Sequence, residues 1–239
     1  PKQKASARFI DCEKSVAFYE KVKDRALGFK VILGGFAKQK DLDWLKLARK
    51  IADKANCRLM VQLAGATASL DEILDYVRPN DVLTAVYHCF PGASILDDND
   101  RINEKLIGAA EKYLSFHVYQ KAAAAGLYPN FISTGMGKIA WREAPTYDMS
   151  HMVSKFIALG MDKTQAFRAA ITTPAQYCGF VVDNEKDLLV LKTKRGNIVY
   201  EDNRYGFVTD DLHNTIIGDL EYTVDIFIRN NKLAFDLKL

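Results

Sequence analysis

The sequence predicts an α/β fold, a partial or modified TIM-type (β/α)8 barrel with a small C-terminal β-rich extension. Three apolar runs that end in turn residues predict buried strands, at residues 28–33, 57–63 and 80–90. Two segments with helical apolar spacing connect these strands, at residues 41–55 and 70–77. Strands that alternate with helices in this way favour a parallel sheet covered by helices.

The spacing of three polar residues favours a barrel over a doubly wound sheet. Lys30, Gln62 and His88 lie at or near the ends of consecutive predicted strands, 32 and 26 residues apart. Gly135 ends the next clear strand 47 residues further on, close to two such intervals. One β/α unit per interval is the rhythm of a (β/α)8 barrel. The chain has no G-x-G-x-x-G loop of the dinucleotide-binding kind.

The helices of the first half are predicted by apolar stripes and capping residues. Residues 11–23 have helical spacing. Asp41 stands at the start of the next predicted helix, where it is a plausible N-cap. Ser69 precedes the third helix and Glu72 follows three residues later, which is the pattern of a capping box.

The second half begins with less certain elements. A helix is predicted over residues 102–112, after a polar turn. Residues 113–119 have the composition of a strand, but their apolar spacing also permits one helix that runs to Ala125 and ends at Gly126. A short strand follows at residues 131–134. Two further helices are predicted, at residues 148–159 and 163–171.

The predicted secondary structure changes near Asp187, where strands replace helices. Three strands joined by polar turns are predicted, at residues 188–192, 197–200 and 222–228. Residues 229–232 form a predicted hairpin turn. We therefore expect two domains, a barrel portion over residues 1–182 and a small β-rich module over residues 183–239.

Composition and charge exclude several classes of protein. The apolar fraction of 49% and the charged fraction of 26% are ordinary for a globular protein. A net charge of +3, spread along the chain, gives no indication of a nucleic acid or membrane partner. The four cysteines form no C-x-x-C pair and fit reduced thiols. We expect a cytoplasmic location, since no apolar run is long enough to span a membrane.

Histidines supply the first candidates for a functional site. Ligands bind at the C-terminal ends of parallel strands, so His88 stands where a functional histidine is expected; a structural histidine beside a core strand is the alternative. His117 faces the same region if residues 113–119 form a strand, and it lies at the surface or packs if they form a helix. His151 lies in a predicted helix and is expected to be structural.

Six segments in chain order resemble the motifs of one superfamily. They are G-F-K-V at 28–31, L-M-V-Q-L at 59–63, N-D-V-L at 80–83 with H-C-F-P-G at 88–92, P-N-F-I-S-T-G-M-G at 129–137, Y-D-M at 147–149 with M-V-S-K-F-I-A-L-G-M at 152–161, and T-P-A at 173–175 with Gly179. Together they resemble the amidohydrolase superfamily, specifically its deacetylase and dihydroorotase-like metallohydrolases. The resemblance covers roughly residues 25–180 and implies a hydrolytic site with two divalent metals, zinc by family resemblance.

The resemblance also assigns expected roles to four positions. Lys30 matches the lysine that the family carbamylates to bridge two metals, and His88 matches a metal-binding histidine. Gln62 stands where the family has a histidine. Gly135 stands where the family has the aspartate that binds metal and shuttles the proton. No catalytic residue is therefore assigned, and the family's paired H-x-H histidines have no counterpart in this sequence.

Three functions follow as hypotheses. The first is a metal-dependent amidohydrolase or deacetylase that hydrolyses C–N bonds in small amides or cyclic amides. The second is a catalytically inactive relative, a pseudoenzyme with a structural or regulatory role. The third is a small-molecule binding protein that uses a strand-end pocket formed by Lys30, Gln62, His88 and His117.

The predicted barrel also implies partners. The resemblance places the start of the chain near the third barrel strand, which leaves one parallel edge without a neighbour. We therefore expect a homo- or hetero-oligomer that covers this edge, together with a small-molecule ligand or substrate.

Overall fold

The structure is a computed structural model that describes most of the chain. The described stretches are residues 10–34, 38–63, 65–88, 92–97, 99, 101–103, 110–111, 114–134, 148–181, 186–201 and 214–236. The chain divides into two compact units, Pro1–Leu106 and Ile107–Leu239. Within the described stretches, no helix is both long and apolar enough to cross a membrane.

Three parallel strands alternate with helices in the first unit. The strands are β1 (Gly28–Ile32), β2 (Arg58–Gln62) and β3 (Val82–Thr84), and the helices are α1 (Cys12–Val22), α2 (Lys38–Lys54) and α3 (Leu70–Leu74). Both strand pairs are parallel, so that Ile32 lies opposite Gln62 and Gln62 lies opposite Thr84. The α/β order and the strands predicted near residues 28–33 and 57–63 are confirmed.

The two faces of these strands differ because successive side chains point to opposite sides. Val31, Leu59 and Val61 share one face and are buried. Helix α2 contacts both β1 and β2, and its apolar residues Leu45 and Ala52 are fully buried. The core of the first unit therefore involves α2 and the face that carries these aliphatic side chains.

The third strand is shorter than the predicted strand over residues 80–90. Asn80 and Ala85 flank it with φ angles of 73° and 60°, a left-handed conformation that cannot continue a strand. Beyond Thr84, Val86 and Tyr87 are buried without belonging to a strand. The apolar run therefore reflects burial of the chain, and only part of it reflects strand pairing.

Asp41 is not the cap of α2, because this helix begins at Lys38. Its carboxylate is fully buried and accepts the backbone N–H of Gly34 at 3.0 Å. It also accepts the backbone N–H and the hydroxyl of Thr67, at 2.6 Å and 2.8 Å. The predicted cap is wrong, and the carboxylate instead joins the segments that follow β1 and β2.

The other predicted helix starts of the first unit are confirmed. The Asp11 carboxylate accepts the backbone N–H of Lys14 and caps α1. At α3, the Ser69 hydroxyl accepts the backbone N–H of Glu72, and the Glu72 carboxylate accepts the backbone N–H of Ser69. This reciprocal pair is the capping box expected from the sequence.

An ion-pair network joins α2 to the residue that precedes β3. The Asp81 carboxylate accepts Arg49 Nη1 at 2.6 Å and the backbone N–H of Leu59 at 2.7 Å. Arg49 also donates to Asp53 at 2.7 Å, and Arg78 contacts the same carboxylate at 2.6 Å. The side chains of Arg49 and Asp81 are only 10% and 3% exposed, so water screens this pair weakly.

The helix predicted from Ile102 onward is wrong where the structure describes it. Ile102 forms an antiparallel bridge with Leu96, and Ala110–Glu111 forms a short strand, β4. The Asp97 carboxylate accepts the backbone N–H of Arg101 at 2.9 Å. Asp97 therefore closes a turn before Ile102 instead of starting a helix.

Helices make up most of the described first part of the second unit. Its elements after β4 are α4 (Phe116–Ala124), β5 (Phe131–Ile132), α5 (Met149–Ala158), α6 (Lys163–Phe167) and α7 (Thr173–Cys178). The helical alternative for residues 113–119 is confirmed from Phe116 onward, and Gly126 follows the helix with a φ of 80°. β4 and β5 pair in parallel. A π-helical stretch joins α6 to α7, which extends the helix predicted at residues 163–171.

Antiparallel strands form the described C-terminal part of the second unit. They are β6 (Leu188–Glu201), β7 (Thr215–Arg229) and β8 (Lys232–Asp236), in that order across the sheet. The strands predicted at residues 188–192 and 197–200 are one strand, with a register shift beside Gly196. Asn230 and Asn231 form the expected hairpin turn with φ angles of 50° and 59°. The domain boundary expected after residue 182 stays a prediction.

Helix α5 packs against β7 through polar contacts around His151. Its Nδ1 lies 2.9 Å from Glu221 Oε1, and its ring packs on Tyr200 at a centroid distance of 5.1 Å. The Ser154 hydroxyl accepts the backbone N–H of Tyr222 at 2.8 Å. Burial lowers the pKa of His151 below its ordinary value, and the hydrogen bond to Glu221 offsets part of this effect. His151 is therefore structural, as predicted.

Replacing Asp81 with alanine should destabilise the fold strongly. The buried Arg49 would lose a carboxylate partner, and the N–H of Leu59 would lose its acceptor. We expect the free energy of unfolding, measured by urea denaturation, to fall by about 3–5 kcal/mol. Asp24→Ala is the control, since Asp24 and Arg25 form an exposed pair that contributes little. Equal effects of the two substitutions would contradict the structural role of Asp81.

The lowered pKa of His151 should make stability depend on pH. A histidine with a folded-state pKa below its unfolded value of 6.5 is neutral in both states at higher pH. As pH falls below 6.5 toward the folded-state pKa, the unfolded state binds the proton first and stability declines, by at most about 1.4 kcal/mol per pH unit. Denaturation at several pH values should show this decline.

Two substitutions test the assignment of that decline. In His151→Gln the part of the decline between pH 6.5 and the lowered pKa should disappear. The matched control is His117→Gln, because His117 is exposed on α4, and this variant should retain the wild-type decline. A His151→Gln variant with an unchanged pH profile would show that another group causes it.

Candidate functional site

The predicted strand-end residues share one face of the parallel strands. Lys30 pairs in register with Met60, and two residues further along Ile32, Gln62 and Thr84 form a row across β1, β2 and β3. Paired residues point to the same side, so Lys30 and Gln62 lie on one face, opposite the apolar core face. Neighbouring strands are about 4.8 Å apart, and two residues along a strand span about 6.6 Å. The structure therefore places Lys30 and Gln62 close to each other on the same face of the sheet.

Lys30 is exposed and lies beside a largely apolar cavity. This cavity has a volume of about 600 Å³. Its lining residues include Phe29, Lys30, Ile32, Trp44 and Leu47. Gln62 and His88 do not line this cavity. Because Trp44 and Leu47 belong to α2, this cavity lies between α2 and β1, and Lys30 borders it from the strand.

Gln62 is the buried polar residue of this face. Its side chain lies at the C-terminal end of β2 and is 6% exposed. The backbone oxygen of Gln62 accepts the N–H of Leu33 at 3.1 Å. Within the part of the chain that the structure describes, however, Gln62 Oε1 has no hydrogen-bond partner. A buried amide oxygen without a donor is an unusual and costly feature of a folded protein.

His88 is buried beyond the end of β3 and is 1% exposed. Its Nε2 lies 3.2 Å from the backbone oxygen of Ala93. A carbonyl oxygen can only accept, so Nε2 carries the proton in this contact. The strand predicted to end near His88 ends at Thr84, because Ala85 turns the chain. His88 therefore sits in the segment after β3, in a contact that holds that segment to Ala93.

The segments that follow the three strands contact one another closely. A Cβ on Gly34 would overlap the carbonyl oxygen of Gly65, and a Cβ on Gly92 would overlap that of Ala66. Both glycines also have positive φ angles, 109° and 107°, so glycine is required there for two reasons. The Asp41 carboxylate adds hydrogen bonds across the first of these junctions. Backbone packing thus holds the surroundings of the strand ends in place.

Two other predicted site positions have different outcomes. His117 lies on α4 in the second unit, and its side chain is exposed, which agrees with the helical alternative. Gly135 lies outside the described residues.

Thr84 and Asp41 are two residues near the strand ends that the sequence does not predict as site residues. The register of the sheet identifies Thr84, whereas only the three hydrogen bonds of Asp41 distinguish it from a helix cap.

The residues at the strand ends do not fit a two-metal site. In the described stretches, no group of three or more histidine, cysteine, aspartate or glutamate side chains is arranged to hold a metal ion. Binuclear zinc sites need imidazole and carboxylate ligands, and Gln62 offers a neutral amide in their place. The expected zinc cofactor is therefore not supported by the donors that the described residues supply.

Comparisons with known proteins identify similar chains. No protein-family model matches this sequence. A deacetylase of Agrobacterium fabrum is 28% identical over 197 residues, covering 75% of this chain and 46% of the relative. A deacetylase of Brucella anthropi is 30% identical over 153 residues, covering 59% of this chain and 37% of the relative. The chain thus spans less than half the length of these relatives.

Solved structures show the same fold. A dihydroorotase structure superposes with a TM-score of 0.81 at 20% identity, covering 98% of this chain and 65% of that chain. An adenine deaminase structure gives a TM-score of 0.81 at 21% identity, covering 97% and 66%. At 20% and 21% identity, these likenesses show the fold of the chain and not its activity. The described parallel strands do not by themselves establish a closed barrel, so the complete (β/α)8 arrangement stays a prediction.

The deacetylase relatives and the solved neighbours agree with the motifs quoted from the sequence. The chain therefore resembles deacetylases in sequence, and it resembles the dihydroorotase and adenine deaminase structures in fold.

Proposed function

We propose that this protein is a divergent amidohydrolase-type protein whose strand-end site binds small amides without cleaving them by a two-metal mechanism. The observation that carries the proposal is the buried Gln62 Oε1, which has no hydrogen-bond partner among the described residues. By resemblance, Gln62 stands at the position of a family histidine. An amide oxygen there is suited to hydrogen bonding and is a poor zinc ligand.

The chemistry of hydrolysis supports this proposal. Metal ions promote hydrolysis by generating hydroxide near neutral pH and by polarising the carbonyl group. This requires several anionic or imidazole ligands on each metal ion. By resemblance, Gln62 and Gly135 replace two such ligands, and Gly135 has no side chain to shuttle a proton. Lys30 and His88 alone cannot hold two metal ions.

The proposed ligand class comes from the relatives and from the accessible groups. Deacetylases, dihydroorotases and adenine deaminases all act on C–N bonds, and two such neighbours share this fold. Lys30 is an exposed cationic residue on the face that carries Gln62, which suits a small molecule with a carboxylate. We therefore propose N-acyl amino acids and cyclic amides as the compounds to test first.

Active hydrolysis of C–N bonds is the second candidate function. The resemblance to curated deacetylases and the presence of Lys30 and His88 at matching motif positions favour it. Under this alternative, zinc would bind with ligands beyond those that the described residues supply. A structural or regulatory role in an oligomer that covers the edge of β1, and a cytoplasmic location, stay proposals without a supporting contact.

Metal content and turnover separate the two candidates. After dialysis against excess zinc and then against buffer, we expect elemental mass spectrometry to find much less than one tightly held ion per chain. We also expect no hydrolysis of N-acetylglycine, N-acetylalanine or N-acetylphenylalanine. Retention of about two ions per chain, with turnover that is lost in His88→Ala, would establish the hydrolase instead. His117→Ala is the matched control for that variant.

Binding tests the proposal directly. Titration calorimetry with the same N-acetyl amino acids and with hydantoin should detect saturable binding of at least one compound. A ligand at 100 times its dissociation constant should raise stability by about 2.7 kcal/mol, which a thermal melt resolves. Absence of binding across the panel, without metal or turnover, would overturn the proposed function.

A further inference from the structure

We infer that Gln62 Oε1 accepts a hydrogen bond from an N–H group of the bound molecule, so that the site selects N–H-bearing amides over the corresponding esters. This inference rests on the proposed function, because it names the group that recognises the ligand at the same site. It assigns Gln62 a role in specificity that does not depend on a metal ion.

The surroundings of Gln62 show that its unpartnered oxygen is an exception. Leu59, Val61 and Leu63 are fully buried on the opposite face of the strand segment, and Thr84, which shares the face of Gln62, is 6% exposed. The backbone groups beside it are paired, since Leu33 donates to the Gln62 carbonyl at 3.1 Å and Leu63 donates to that of Thr84 at 3.0 Å. Among the described residues, no donor reaches Gln62 Oε1.

The position of Gln62 favours a ligand as the missing donor. A leucine or methionine at this site would be buried without leaving a polar group unsatisfied. Glutamine stands instead at the C-terminal end of a parallel strand, where α/β proteins bind their ligands. Gln62 pairs in register with Thr84 on β3 and with Ile32 on β1. Lys30 lies on the same face, two residues before Ile32. These neighbours offer a hydroxyl and an ammonium group on the face that Gln62 shares.

The chemistry of the acceptor defines the selectivity. A carbonyl oxygen can only accept, so it needs an N–H or O–H group opposite. An amide ligand can supply that N–H, whereas an ester places an oxygen with lone pairs at the same point. A site built to hydrogen-bond a ligand group rejects the analogue that lacks it, because the buried partner is then left unpaired. We expect a preference of about tenfold or more, since leaving a buried acceptor unpaired weakens binding by about 5- to 150-fold.

Matched pairs of compounds test this inference on the whole chain. N-acetylglycine and O-acetylglycolic acid differ only by N–H against oxygen, as do N-acetylalanine and O-acetyllactic acid. Calorimetric titration at pH 6.5 should give dissociation constants about tenfold or more lower for the amides. Proton NMR after each titration verifies that both compounds are intact.

Two variants locate the preference at Gln62. Gln62→Met keeps the length of the side chain and removes the acceptor, so amide and ester should then bind within about twofold of each other, as expected when no hydrogen bond distinguishes them. Gln62→Glu keeps acceptor oxygens and should retain the amide preference. Thermal melts of both variants establish that they are folded, and the wild-type comparison stands even if one of them is not.

The outcomes separate this inference from the proposed function. Equal binding of amide and ester by the wild-type protein would overturn the inference and leave the proposed function standing. An amide preference that persists in a folded Gln62→Met variant would also overturn it, because another group would then be the acceptor. Failure of all the amides and esters to bind would overturn the proposed function itself.

Discussion

The hydrogen bonds of one buried carboxylate, that of Asp41, hold the candidate site together. Asp41 accepts two hydrogen bonds from Thr67 and one from the backbone of Gly34. Hydrogen bonds to a charged group contribute about 1.5–3 kcal/mol each, which suits a carboxylate removed from water. Because α2 carries Asp41 and also packs on β1 and β2, the helix that covers the core also fixes the segments leaving it. The strand-end face is therefore as well defined as the sheet.

A second carboxylate plays the corresponding role near the start of the strands. Asp81 precedes β3, accepts the N–H of Leu59 on β2, and binds Arg49 on α2. Helix α2 is thus attached to the strands at both ends, through Arg49 at one and Asp41 at the other. This arrangement separates stability from recognition, because the carboxylates of Asp41 and Asp81 form hydrogen bonds within the protein. The side chains of Lys30 and Gln62 take no part in these hydrogen bonds.

Sequence reasoning succeeded where a local pattern determines the structure and failed where a tertiary contact does. The strands at β1 and β2 and the capping box of Ser69 depend on apolar runs and on residues three apart, so both were predictable. The strand predicted over residues 80–90 is too long, because no pattern in the sequence indicates the positive φ of Ala85. Asp41 looked like a helix cap because its partner Thr67 lies 26 residues away.

The candidate site was predictable in position but not in chemistry. The β/α rhythm placed Lys30 and Gln62 on neighbouring strand ends, and the sheet register confirms that they share a face. The same rhythm could not show that His88 lies beyond its strand and donates to Ala93, nor that the buried Gln62 Oε1 has no hydrogen-bond partner among the described residues. These features decide what the site can do, since a metal centre requires several converging ligands, whereas recognition of an amide requires one well-placed acceptor. A fold shared with hydrolases therefore indicates where a ligand binds, and the side chains at the strand ends determine whether it is cleaved.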